Sequence, residues 1–184
     1  NKKIIMRKNV MLLFLGLGLL ATQSCKKEEA EIKGCRDKDA ENYNASANVD
    51  GDCVYARDKF IGTYNGTLSC PGSLALISGQ TNFNIDENIT GGKNDVNVLI
   101  TTTTGLVVPV TGTCSGNKLS IDALLKDLKI NMFGTDVRVD ITAKGEVTLN
   151  ETTKVMSGNL TLNTKGIEIP LDLTDNCPIN ATKQ

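Results

Sequence analysis

Residues 56–184 read as an all-β domain, an antiparallel barrel of about eight strands, with a β-sandwich as the alternative. Three observations lead there. Apolar and polar residues alternate with period 2 over several long runs, the pattern of strands with one buried face. Short clusters of Asn, Gly and Thr separate those runs, as turns require. The composition suits strands and turns: 17 Gly, many Thr and Asn, only 4 Pro and 4% aromatics.

The chain opens differently. Lys2, Lys3, Arg7 and Lys8 are followed by the apolar run Val10–Ala21. That run is shorter than the roughly 20 residues that cross a bilayer as a helix, and it has the length of a signal-peptide core. Ala21-Thr22-Gln23-Ser24-Cys25 comes next, then Lys26-Lys27-Glu28-Glu29. A small residue before Cys, directly after an apolar core, resembles a lipoprotein signal-peptidase site. Thr22 stands where that site usually has Leu, a looser form similar to lipoproteins of Bacteroidota. The resemblance implies cleavage before Cys25 and lipidation of Cys25. Two or more acyl chains on one residue anchor it stably, at about 0.8 kcal/mol per buried CH₂. Lys26 in place of Asp, and the acidic pair after it, imply the outer membrane, with surface exposure as an extension of that expectation. Residues 1–24 are thus expected to be the leader and 25–33 a tether.

Residues 34–55 form a second segment, bounded by Cys35 and Cys53. Gly34, Cys35, Asp37, Ala40, Asn42, Tyr43, Asn44, Ala47 and Cys53 resemble a short repeat of secreted Bacteroidota proteins. The ending Asp50-Gly51-Asp52-Cys53 departs from that repeat's usual Asp-Asp-Gly-Ser-Cys. The stretch holds too few apolar residues to bury a core. A Cys35–Cys53 disulfide would give it shape in an oxidising compartment, contributing about 3 kcal/mol for a loop of this size. Its Asp and Asn density raises calcium as a cofactor, with Asp37, Asp39, Asp50 and Asp52 as the candidate ligands. No Glu occupies the twelfth position of an EF-hand loop. Turn-and-spacer is the preferred reading, so no cofactor is expected.

In the main domain, Phe60-Ile61-Gly62-Thr63-Tyr64-Asn65-Gly66-Thr67-Leu68 is the first expected strand. Phe83 and Ile85 mark the second, Val96, Val98 and Ile100 the third, and Leu106, Val108 and Val110 the fourth. Ser115-Gly116-Asn117 turns into Leu119 and Ile121. Ile121, Leu124, Leu125 and Leu128 fall at helical spacing, so residues 121–128 read either as a short helix or as loop and strand. Leu128, Ile130 and Met132 resume a strand. Val137–Leu149 is the longest alternation, with Gly145 marking a bend or bulge. Met156, Gly158, Leu160 and Leu162 form the next strand, Asn163-Thr164-Lys165-Gly166 a turn, and Ile167, Ile169, Leu171 and Leu173 the last. The entry Phe60-Ile61-Gly62-Thr63-Tyr64 and the strand–turn pattern resemble the lipocalin-like (calycin) barrels of Bacteroidota lipoproteins.

With Cys25 lipidated and Cys35 paired to Cys53, three cysteines remain. Cys70 ends the first strand and Cys177 lies in or after the last, and these strands adjoin in a closed up-and-down barrel. Cys70–Cys177 is therefore expected, leaving Cys114 a free thiol, with Cys70–Cys114 as the alternative.

The chain has no His, which removes Ser-His-Asp and Cys-His catalysis and His-ligated zinc. Without the four leader cations, 16 basic residues face 21 acidic ones, a net −5. Such a domain has no electrostatic reason to bind nucleic acid. Asp122, Asp127, Asp136, Asp140, Glu146 and Glu168 fall at loops or outward strand positions, as solvated surface charge does. The expected partners are the membrane, through the lipid on Cys25, and either an extracellular protein or a small apolar ligand. The expected role is that of a surface lipoprotein with non-enzymatic binding or display. A lipocalin-like carrier of an apolar ligand is the alternative, and a hydrolytic enzyme comes last.

Overall fold

The computed structural model describes residues 30–72, 74–103, 105–132 and 134–184. The leader and Cys25 lie outside the described residues. Lys33–Gln184 forms one compact unit, so the Cys35–Cys53 segment and the barrel belong together.

Two short parallel strands, β1 (Lys33–Gly34) and β2 (Val49–Asp50), lead into a one-turn helix, α1 (Ala56–Phe60). Eight strands follow: β3 (Gly62–Leu68), β4 (Gly79–Glu87), β5 (Asp95–Thr102), β6 (Val107–Ser115), β7 (Lys118–Met132), β8 (Thr135–Asn150), β9 (Val155–Gly166) and β10 (Asp172–Lys183). They pair antiparallel in chain order, and β10 closes on β3 to complete a barrel. The eight-stranded barrel is thus the architecture, and the sandwich alternative falls away.

Alternation decides which side chains face inward. Tyr64 and Leu68, Phe83 and Ile85, Val96 and Val98, and Leu119 and Ile121 are buried, while their sequence neighbours are less so. Phe60 ends α1 beneath them, and its carbonyl oxygen accepts from the Tyr64 hydroxyl at 2.9 Å. An eight-stranded barrel is just wide enough for side chains to fill it. This end of the barrel is filled in that way, by Phe60, Tyr64, Phe83, Leu119 and Met156.

Gly66, Gly145 and Gly158 occupy inward positions where no Cβ fits. A Cβ on Gly145 would lie 2.1 Å from the Asn159 carbonyl oxygen, and one on Gly66 2.1 Å from that of Asn180. Gly145 carries no bulge, since it stays in register with both Ile121 and Leu160. It is a bend at which neighbouring backbones crowd together.

Four local expectations are corrected. Residues 121–128 are neither helix nor loop but part of β7. Leu125 pairs with Ile141 and Leu128 with Val139, so Lys126 and Asp127 together oppose Asp140. This bulge flips the inward parity and makes a strand look helical in spacing. Asp127 sits at φ 58°; its N–H donates to the Asp140 carboxylate at 2.9 Å and its carboxylate accepts from Arg138. The final strand is Asp172–Lys183, and exposed Ile167 and Ile169 belong to the connection before it. Its inward Asp175 broke the apolar pattern there. Asn163–Gly166 continues β9 rather than turning. The first barrel strand starts at Gly62, because Ala56–Phe60 is helical.

Candidate functional site

Both expected pairings are present, Cys35–Cys53 and Cys70–Cys177. Cys114 is a free, buried thiol. Burial is the main cause that pushes its pKa up to about 12, with the Asp95 carboxylate adding to it. A thiol held that far from thiolate is a poor nucleophile.

The Cys35–Cys53 segment is fastened to the barrel by Asn94. The Asn94 carbonyl oxygen accepts from the Cys114 N–H at 2.8 Å, and its side chain accepts from the Ala56 N–H at 2.9 Å. The same side chain donates to the Asp39 carbonyl oxygen at 3.0 Å. Lys59 adds an ion pair with Glu41 at 2.9 Å. In the sequence Asn94 closes the cluster Gly91-Gly92-Lys93-Asn94, the composition of a turn, and nothing there marks it as a junction.

The calcium candidates do not converge. The Asp37 carboxylate accepts from the Asp39 N–H at 3.0 Å and from the Tyr55 hydroxyl at 2.8 Å. These bonds hold its pKa below the usual carboxylate range. Asp50 pairs with Arg36 at 3.4 Å, and the Asp52 carbonyl oxygen accepts from Asn42. Among the described residues, no group of three or more His, Cys, Asp or Glu side chains is placed to hold a metal ion.

The outward carboxylates pair with neighbouring cations. Asp122 meets Lys144 at 3.0 Å, Asp136 meets Lys129 at 2.6 Å, Glu146 meets Lys118 at 2.7 Å, and Arg138 takes both Asp127 and Glu168.

Inside the barrel, opposite the filled end, lies an apolar cavity of about 40 Å³. Leu68, Ile77, Ile100, Leu106, Leu125 and Ile141 are among its walls. Small-molecule sites ordinarily hold about 300 Å³ or more.

A larger concavity, about 370 Å³, is on the outside of the barrel where β6 and β7 part. The ladder between them covers only Gly112–Ser115 against Lys118–Ile121. Beyond it, β6 stays paired with β5 and β7 with β8. The hydrogen-bonding directions follow from antiparallel alternation. The Cys114 N–H donates to Asn94, on the β5 side, so Val107, Pro109 and Thr111 present their backbone groups to β7. The Asn117 carbonyl oxygen accepts from Leu149, on the β8 side, so Asp122 and Leu124 present theirs to β6. Pro109 has no N–H to give, which breaks the ladder where it would otherwise continue.

This groove has an apolar floor, Val98, Val110, Ala123 and Leu125, and outward Leu99 and Leu124 flank it. Leu99 is 40% exposed and Leu124 56% exposed. Asp86 and Asp122 stand at its edge, and no Lys or Arg lines it. A polar hollow beside Asp95, Thr113 and Ser120 shares Thr111 and Asp122 with it. In the sequence the groove leaves one legible trace, Pro109 inside an alternating run.

No protein-family model, curated protein or solved structure matches this chain.

Proposed function

We propose that this chain is an exported lipoprotein, anchored in the outer membrane through lipid on Cys25, whose barrel is a non-enzymatic binding scaffold working through its outer wall. The Ser24-Cys25 site after an apolar core supports the anchor. One observation carries the binding role: the apolar cavity inside the barrel holds about 40 Å³, whereas the outer groove between β6 and β7 holds about 370 Å³. A rigid barrel stapled by Cys70–Cys177 suits such a scaffold.

The test is the fate of Cys25. Wild-type chain is expected to incorporate radiolabelled palmitate and to fractionate with outer membranes. Cys25→Ser is expected to lose both. A Cys25→Ser chain that stays with the membrane would overturn the anchor.

A second reading, a carrier of a small apolar ligand, is favoured by the wholly apolar lining of the inner cavity. Leu125 and Val110 border both the cavity and the groove. Displacing them would join the two spaces. Mass spectrometry of organic extracts from the purified native chain tests it: a stoichiometric lipid favours the carrier, and none favours the scaffold.

A further inference from the structure

We infer that the groove between β6 and β7 binds an extended, lysine-bearing segment of a partner protein, which enters as an added β-strand. The inference rests on the scaffold reading above and names its partner class. Three features of the groove agree on this occupant.

The first is the backbone. Val107 and Leu124 turn N–H and C=O groups into the groove, Pro109 turns in its C=O, and at the end of the ladder the Thr111 N–H and the Asp122 C=O remain to be taken up. Such edges template a further strand, and strand addition draws its affinity from main-chain hydrogen bonds. An acyl chain could satisfy none of them.

The second is the side-chain pattern. A strand's side chains alternate between faces. One face of the incoming strand would meet the floor of Val110, Ala123 and Leu125; the other would lie between Leu99 and Leu124 on the outer surface.

The third is charge. Asp86 and Asp122 edge the groove and Asp95 lies in the adjoining hollow, with no Lys or Arg lining either space. Lys144 pairs with Asp122 from β8, but that pair is solvent-exposed, with 61% and 72% of the two side chains accessible. Exposed pairs of this kind hold weakly and exchange partners readily. Cationic side chains on the incoming strand are complementary to this edge, and anionic ones are repelled.

The test uses the full chain in lipid nanodiscs and a fluorescent peptide of alternating valine and lysine, about eight residues long so that it covers the open Val107–Thr111 stretch with an overhang at each end. Saturable binding by anisotropy is expected, with slowed amide exchange in 107–111 and 122–125. A valine–glutamate counterpart is expected to bind about tenfold more weakly or worse. Methylation of alternate backbone nitrogens should abolish binding. Leu124→Lys should weaken the lysine peptide about tenfold with an unchanged circular dichroism spectrum, because Leu124 packs into no core.

Equal binding of the charge-reversed or N-methylated peptide would overturn the inference. So would exchange protection elsewhere, displacement of the peptide by oleate, or a groove occupied by a second copy, read as a doubled mass without peptide. Membrane fractionation of Cys25→Ser reports on the anchor alone, so failure of either claim is seen separately.

Discussion

The Asp175 carboxylate on β10 accepts the Leu74 N–H at 2.8 Å, across 101 positions of sequence. Its other oxygen accepts the Gly72 N–H at 3.0 Å. Asp175 is 7% exposed, a carboxylate placed where alternation would put an apolar residue. It holds the β3–β4 connection against the last strand, next to Cys70–Cys177.

Asp175→Ala is expected to destabilise the protein by about 3 kcal/mol, since the buried Leu74 N–H and the part-buried Gly72 N–H lose a charged acceptor. Asp175→Asn should cost less, because its amide oxygen still accepts one bond. Urea denaturation measures the difference, and amide exchange at Leu74 locates it. An Ala variant as stable as wild type would mean that water replaces the carboxylate.

Removing the two disulfides should not be equivalent. Cys70–Cys177 closes a separation of 107 residues, and Cys35–Cys53 one of 18. In the chain-entropy model the first contributes about 4.7 kcal/mol and the second about 3 kcal/mol. The Cys70→Ala/Cys177→Ala variant is therefore expected to melt well below the Cys35→Ala/Cys53→Ala variant. The reverse order by calorimetry would show that strain or residual unfolded structure outweighs loop length.

Asn94→Ala should release the Cys35–Cys53 segment from the barrel while leaving the eight-strand ladder intact. Two side-chain bonds are lost, at about 1 kcal/mol each. Limited proteolysis within residues 36–52 should accelerate, with little change in the far-ultraviolet spectrum. Unchanged cleavage would assign the docking to Lys59 and Glu41 instead.

Burial pushes the pKa of the Tyr64 hydroxyl up to about 12, chiefly by desolvation, and that of the Cys114 thiol likewise to about 12. Both groups have ordinary values of 9–10. The folded state thus favours their neutral forms. That stability is complete below pH 9 and is lost as pH rises towards about 12, because the unfolded chain ionises first. Alkaline unfolding should coincide with Tyr64 ionisation near 295 nm and with alkylation of Cys114. Alkylation of the folded protein at neutral pH would contradict this.

Acid acts through the opposite sign. Backbone and side-chain donors hold Asp37 and Asp95 below the usual 3.8, with the Asp39 and Gly92 N–H groups the leading causes; Arg138 does so for Asp127. Their contribution is complete above the ordinary carboxylate range and disappears as pH falls through the lowered values. The protein should therefore keep its melting temperature to pH 5 and lose stability below pH 4. A decline that begins near pH 6 would point to other groups.

Much of the barrel was legible because burial on one face of a strand imposes period 2 on its residues. Val96–Ile100 and Val137–Leu149 carry that imprint, as do the turns between strands. The Cys70–Cys177 pair followed from closure, since first and last strands must then adjoin. Local pattern failed where the chain departs from a plain ladder. The bulge at Lys126 and Asp127 mimicked helical spacing, and buried Asp175 hid the last strand. The groove was illegible for a different reason. It is made by two strands that fail to pair, and pairing is a property of two segments at once. Pro109 marks one edge, but only the tertiary structure brings Asp122 and Leu124 opposite it and leaves the gap open. The residue pattern determined that the domain is built of antiparallel strands with one buried face and left barrel or sandwich open; the three-dimensional closure decided for the barrel and where its wall stays unpaired, because strand register depends on long-range neighbours that no local sequence window contains.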